Sequence, residues 1–462
     1  MPIQRRKLYL DVNHEGIPVR FNPKNTYWYR NYVLYPNLEC KRFRKRFRNR
    51  FRLQYHSYVS LLETISSSPY FIKWNRVQDR NKRRDPSPLS LLLLASLRYL
   101  GRGWTFDDLA EGTGISRDVH RKFFHQFVLF GKEILYPKYV KYPKSSSDIG
   151  NHSAEFEIAG MHGAIGSMDA CHVTIEKCSH RLKQNHLGGK SKQTARSYNL
   201  TCNHRRQILH TTSGSPARWN DKTVVLYDEL ARGLRNGSIL EDNVFELLQK
   251  GNDGVIIKVK YRGAWLLVDN GYLNWGNTIP PMKHTLYMRE TRWSEWIESM
   301  RKDVECTFGI LKGRWRILKA GIRVHGVEKA DQIWMTCCAL HNMLLEEDGL
   351  TVPWSGEAGM FDFDNNSDKV PFALRRLNNP GDIRGYDSSG MGPGRYTEED
   401  DEDIEEPPST HDILIEEINM DAINEVRFFT ADYFQSKLVE HFTILYSQNK
   451  IKWPKRHYNI NS

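Results

Sequence analysis

Three acidic residues stand in local settings that suggest chemistry: Asp169 in GAIGSMDACHVTI, Asp269 in AWLLVDNGYL and Glu305 in SMRKDVECTFGILKGRW. Carboxylate oxygens are hard donors suited to Mg²⁺ or Mn²⁺, ions that keep several waters. Two such ions roughly 3.5–4 Å apart can activate an attacking water and stabilise the leaving oxygen of an in-line displacement at phosphorus. Three carboxylates in one place would otherwise repel each other and take up protons. Their convergence would make sense mainly around cations.

Each acid needs an element to carry it. Ala164–Ile175 alternates and is rich in small and β-branched residues, which predicts a half-buried strand bearing Asp169. Ala264–Asp269 is a short apolar run halted by Asp-Asn-Gly, a buried strand whose end delivers a carboxylate. Around Glu305, the apolar residues Val304, Phe308, Leu311 and Trp315 recur at helical spacing. One residue round that helix, Arg301, Glu305, Gly309, Lys312 and Arg316 make a basic strip with Glu305 as its acid. The plain alternative is a set of cap, turn and solvated acids, and spacing alone does not exclude it. Asp221 and Asp303 are rival acids. Asp221 is expected to cap the next helix, with a supporting role at the acidic site as the alternative. Asp303 is expected to face away from Glu305.

The net charge is +12 with a pI near 9.2, which suits a polyanionic partner such as double-stranded DNA. No stretch approaches the roughly 18 apolar residues of a membrane helix, and Leu89–Leu97 reads as a core helix. No membrane partner is expected. The beginning MPIQRRKLYL lacks the apolar region of a secretion signal. Seven cysteines, two of them adjacent, make a poor disulfide framework and suit a reducing compartment. Cys171, His172, Cys178, His180, His186, Cys202 and His204 cluster, but without the tight Cys pairs of a zinc site.

Residues 1–40 read as an N-terminal arm, and 41–135 as a basic helical region. In KRFRKRFRNRFR (41–52) Phe43, Phe47 and Phe51 form a helical seam, leaving Arg44 and Arg48 as candidate phosphate contacts or part of a nuclear import signal. Residues 86–135 predict a helix-turn-helix: an apolar helix at 89–100, a capping box at Thr105 and Asp108, a glycine turn, and a third helix from Ser116 to Phe130. Arg117, Asp118, His120, Arg121 and Lys122 would be its exposed early positions, with Arg117, Arg121 and Lys122 as DNA contacts. The alternative is a plain helical packing unit. Residues 136–153 predict a linker. In the following region, Arg181–Lys192 and the turn residues Arg205 and Arg206, with Arg301 and Lys312, are candidate backbone contacts. Trp219 is expected to pack, with wedging against a base as the alternative. Residues 351–410, with eight acids in Glu398–Glu406, predict an acidic unstructured linker, and 411–462 a small helical segment for docking.

At these residues the chain resembles the transposases of the PIF/Harbinger superfamily. The matching pieces are GSMDACHV, GSPARWNDKT, LLVDNGYL, RKDVECTFGILKGRWRIL and, at 335–348, MTCCALHNMLLEED, with a further match at 101–116. The resemblance implies an α/β fold: a ribonuclease-H-like mixed-sheet catalytic core over 154–350, preceded by the all-α helix-turn-helix region. It implies Asp169, Asp269 and Glu305 as catalytic and metal-holding acids, Mg²⁺ or Mn²⁺ in a two-metal site, and a DNA substrate. It also implies transposition chemistry, nuclear localisation and a separate Myb-like DNA-binding partner protein; a homo-oligomer is a further expectation. Two other readings remain. One is a host-recruited descendant that binds DNA or protein without cutting. The other is a ribonuclease-H-fold nuclease with a repair or RNA-processing role.

Overall fold

The computed structural model describes residues 11–12, 18–19, 22–75, 87–188, 193–353 and 423–454. Chain contacts divide the protein into two units: 1–139, 173–184 and 310–348 form the first, and 140–172, 185–309 and 349–462 the second. The acidic linker expected at 351–410 lies almost wholly outside the described residues.

The first unit is helical. Helix Lys41–Phe51 buries Phe43, Phe47 and Phe51 on one side, as the four-residue spacing requires, and leaves its cations outside. Phe47 and Phe51 meet Tyr32 edge-on and Phe47 meets Tyr55 edge-on, with Phe47 and Phe51 centroids 4.8 Å apart. Helix Leu89–Arg102 is buried along its whole length from Leu91 to Gly101, which fits an apolar segment without a polar face. Thr105 and Asp108 form the expected capping box on helix Phe106–Thr113, and Gly114 ends it at φ +65°. Helix Arg117–Phe130 follows, with Ser116 as its N-cap residue. His120 departs from expectation. It is buried, its Nε2 lies 2.7 Å from Thr113 Oγ1, and burial lowers its pKa to about 4. It packs this helix rather than facing a groove, whereas Arg117, Arg121 and Lys122 are exposed.

Helix Val327–Glu347, which contains ALHNM, also belongs to the first unit and is buried from Ala330 to Leu345. Thr336 donates to the Val128 carbonyl at 3.1 Å. A Cβ on Gly131 would collide with Thr336, so glycine permits that close approach.

The second unit is mixed α/β. Strands β1 (Ala164–Thr174), β2 (Ala195–Cys202), β3 (Ile208–Thr211), β6 (Trp265–Leu267) and β7 (Thr278–Ile279) form one sheet in the order β7-β6-β1-β2-β3. β6 is parallel to both β1 and β7, and β2 is antiparallel to β3. A hairpin of β4 (Val244–Lys250) and β5 (Ile256–Arg262) turns at Gly251–Gly254 and stands in a second sheet. Around β6, Trp265 and Leu267 join one apolar cluster while Ala264, Leu266 and Val268 join another. That two-residue alternation with apolar cover on both faces explains why the segment reads as an unbroken apolar run.

Two expectations change here. The 136–153 linker is instead partly helical, with turns at Tyr136–Tyr139 and a helix at Ser146–Ile158. Asp242 accepts from the Ser146 backbone N–H and hydroxyl, and Phe156 anchors the helix in the core, both long-range partners that local composition hides. The C-terminal helix is Ala431–Ser447, and residues 411–422 lie outside the described residues. This helix is no separate docking element. Phe434, Leu438 and Phe442 complete the cluster containing Trp265, Trp293 and Trp296. Among the described residues, no helix is long and apolar enough to cross a membrane. None of the seven cysteines, all among the described residues, is in a disulfide.

Candidate active site

Asp169 and Asp269 arrive from neighbouring parallel strands. β1 carries Asp169 past its pairing with β6, and Asp269 follows β6 by two residues. Asp269 Oδ1 accepts from the Gly271 backbone N–H at 2.7 Å, folding the Asp-Asn-Gly turn over its own carboxylate. Gly271 is needed for closeness. A Cβ there would stand 2.8 Å from Asp221 Oδ2 and 2.9 Å from Asp269 Oδ1. Those two oxygens therefore flank one glycine, and Asp221 belongs to this acidic group.

The expected capping role of Asp221 falls to its neighbour. Asn220 caps helix Asp221–Val225 by accepting from the Thr223 N–H at 2.9 Å, which frees the first helical residue to face the other acids. Burial holds the Asp169 carboxyl up at about 6; the Ala170 N–H and Arg301 pull it down, and Asp269 and Asp221 push it up. Behind these acids, the Tyr272 hydroxyl donates to Asn199 Oδ1 at 2.7 Å, and Asn199 Nδ2 donates to Asp228 Oδ2 at 2.7 Å. Burial, then the surrounding aspartates, raise the Tyr272 pKa well above its ordinary value. It stays a neutral donor.

Glu305 comes from helix Met288–Arg314 and is half-exposed. Arg301, one turn earlier, joins it to Asp169: Nη2 lies 2.9 Å from Glu305 Oε1 and Nη1 lies 3.5 Å from Asp169 Oδ2. Nη2 also reaches Glu298 Oε1 at 3.1 Å, so Glu305 is not the sole acid near that strip. The width of one guanidinium separates Asp169 from Glu305. Among the described residues, no set of three or more His, Cys, Asp or Glu side chains is arranged to hold a metal ion. The donors nonetheless suit a hard divalent cation: they are carboxylates, and Asp169 carries an anion that burial disfavours.

Several predicted backbone contacts are corrected. Arg301 is buried and bound to carboxylates, so it is a structural cation of the site and no surface contact. Arg205 is buried against Glu155, its Nε 3.5 Å from Oε1. Arg206 is half-exposed in the same turn at φ +65° and pairs with Asp303 at 3.4 Å. Asp303 also lies against His204, whereas Glu305 lies against Arg301, so the two acids face different ways from the helix as expected. Lys312 is partly exposed in the first unit, where Arg44 and Arg48 are exposed. Of the Arg181–Lys192 stretch, Arg181 and Lys183 are exposed and 189–192 lie outside the described residues. Gly309 has open space around it. Trp219 does not pack inside. It stacks on Tyr227 with centroids 5.0 Å apart, the two rings 37% and 58% exposed.

Residues 168–342 match the sequence model of a family described as DDE superfamily endonuclease, an interval holding Asp169, Asp221, Asp269 and Glu305. That match covers under half of the chain and marks the region as similar to DDE endonucleases. Over 48% of its length it is 22% identical to "Putative nuclease HARBI1" of Xenopus laevis, covering 58% of that protein. The rat protein of the same name is 23% identical over 47% of this chain and 56% of its own length. "Protein ALP1-like" of Arabidopsis thaliana is 21% identical over 58% of this chain and 63% of its own length. The chain thus spans less than two thirds of these relatives. No solved structure gives a significant match.

Proposed function

We propose that the DDE domain cleaves phosphodiester bonds at the ends of a DNA element and joins the freed 3′-hydroxyl to target DNA. The observation that carries this reading is the pair of Asp221 and Asp269 oxygens flanking Gly271, with both carboxylates near enough to Asp169 to raise its pKa, within the DDE-matching interval. The sheet order β3-β2-β1-β6-β7, with β1 parallel to β6, supports a ribonuclease-H-like core. In this reading Asp169 and Asp269 would hold the Mg²⁺ or Mn²⁺ ions and Glu305 would complete the second site. When bound, the ions supply an activated water and charge neutralisation at the leaving oxygen. Asp221 adds a further oxygen donor. Tyr272 and Asn199 fix the floor of the site, and the Asp269 turn keeps its carboxylate aimed.

The excess of cations suits a DNA backbone, with exposed Arg44, Arg48, Arg117, Arg121 and Lys122 as contacts and the helices at 106–130 as a helix-turn-helix. Nuclear localisation, a Myb-like DNA-binding partner and self-association complete the proposal. The test is nicking of duplex DNA carrying the element ends. Cleavage should require Mg²⁺ or Mn²⁺ and disappear in Asp169→Ala, Asp269→Ala and Glu305→Ala while DNA affinity stays within about threefold. Full activity in any of these variants removes that residue from the site.

One observation favours a second reading, a recruited descendant that binds without cutting. Arg301 neutralises Asp169 and Glu305 internally, as a stable binding scaffold would. Sequence-specific binding with no metal-dependent nicking, in both wild type and Arg301→Met, would select it.

A further inference from the structure

Helix Lys41–Phe51 ends in a concentration of like charge. Its C-cap residue is Arg52, held in the left-handed region at φ +71° with its N–H donating to the Arg48 carbonyl at 2.8 Å. That conformation turns the Arg52 side chain back along the first unit, where Nε donates to the Gly101 carbonyl at 3.2 Å. Gly101 makes room for it, since a Cβ there would stand 2.5 Å from Arg52 Cγ. Left-handed backbone at a non-glycine residue is strained and persists where surroundings enforce it.

Arg48, Arg52 and Arg314 line a cavity of about 170 Å³ together with Asn49, Gln54 and Asp348. Its acid is already engaged, because Gln54 Nε2 donates to Asp348 Oδ1 at 2.9 Å. Three guanidiniums against one carboxylate leave the cavity cationic. Burial, opposed by Asp348 and reinforced by Arg48 and Arg52, lowers the Arg314 pKa. Arg314 Nη1 is buried and has no hydrogen-bond partner among the described residues. Buried donors of this kind are normally satisfied, and arginine forks match tetrahedral oxyanions. Leu53 and Leu344 close the apolar side.

We propose that this cavity in the helical unit is a binding site for a phosphate group, with Arg48, Arg52 and Arg314 as its cationic ligands and Asn49 and Gln54 as neutral donors. Two sources share that chemistry: a phosphodiester of a nucleic-acid strand and a free phosphate monoester. The site is separate from the acids of the DDE domain and is measured without divalent metal, so its failure leaves the cleavage reading untouched.

The test uses the full chain in chloride buffer with chelator at constant ionic strength. Inorganic phosphate is titrated by calorimetry, and duplex DNA affinity is measured across a salt series, for wild type, Arg48→Ala and Arg314→Lys. Arg48 is exposed, so its variant keeps the fold even if the partly buried Arg314 variant does not. Both variants are expected to weaken phosphate binding at least tenfold. If the occupant is a strand, the slope of log affinity against log salt also falls by about 0.9 for each phosphate that the variant fails to neutralise. Weakened phosphate binding with an unchanged DNA slope assigns the site to a free monoester. Arg48→Ala binding both phosphate and DNA as wild type does would overturn the proposal.

Discussion

Asp169→Asn should make the protein more stable while disabling its chemistry. The Asp169 carboxyl sits at about 6 against an ordinary 3.8, chiefly because burial disfavours its charge. A carboxyl with a raised folded-state pKa binds more protons in the native state than in the unfolded one between those values. Stability therefore falls as pH rises through that window and stays lowered above it. At about 1.4 kcal/mol per pH unit, the ionised carboxylate costs the fold about 3 kcal/mol at pH 7.5 and roughly half that at pH 5. Asparagine keeps the Oδ1 that accepts from the Ala170 N–H at 2.7 Å, and it carries no charge. The variant should then unfold roughly 3–6 °C above wild type at pH 7.5, with the gap narrowing towards pH 4. Added Mg²⁺ should raise the wild-type midpoint more than that of the variant, since a cation bound only by the native state stabilises it. Thermal unfolding followed by far-ultraviolet circular dichroism across pH 4.5–7.5 checks this. A variant no more stable than wild type at pH 7.5, or an offset independent of pH, refutes the electrostatic account.

Other consequences are open to measurement. Arg301→Met leaves Asp169 and Glu305 without their shared cation and should cost about 2–3 kcal/mol in urea unfolding at pH 7.5, less at pH 5 where Asp169 is mostly protonated. Gly271→Ala drives a methyl into the Asp221 and Asp269 carboxylates and should cut metal-dependent nicking at least tenfold with an unchanged circular dichroism spectrum. Trp219→Ala removes half of an exposed aromatic stack; single-stranded DNA binding should weaken about tenfold while duplex binding holds, as fluorescence anisotropy would show. Phe434→Ala should destabilise by about 3–5 kcal/mol, because the C-terminal helix fills the main core; a change under 1 kcal/mol would make that helix the detachable segment its sequence suggests.

What the sequence discloses and conceals follows from the range of the interactions. Phe43, Phe47 and Phe51, the Thr105–Asp108 capping box and the apolar run 264–268 are settled by neighbours within a turn or a strand, and they are readable. The helix at 146–158 depends on Asp242, far along the chain, so its serines and the prolines before it suggest a linker. Arg205 looks like any turn arginine until Glu155 appears beside it at zero exposure. Asp221 is visible as an acid after a good capping residue. Its allegiance is not, because Asn220 and Asp221 are equally good caps and only the fold decides which side chain turns back on the helix.

Arg301 makes the acidic site intelligible as one electrostatic object. Three aspartates gathered in partial burial repel one another, and burial has already raised the Asp169 carboxyl to about 6. A fixed cation one helical turn from Glu305 lowers that cost enough for the folded chain to keep charged acids in reserve. The same guanidinium must loosen its hold if those acids are to serve a divalent ion, because Glu305 cannot give one oxygen fully to both partners. Stability without metal and readiness for metal therefore pull Arg301 in opposite directions. The side chain is long, flexible and tied to the half-exposed Glu298 as an alternative anchor, which gives the conflict a physical way out.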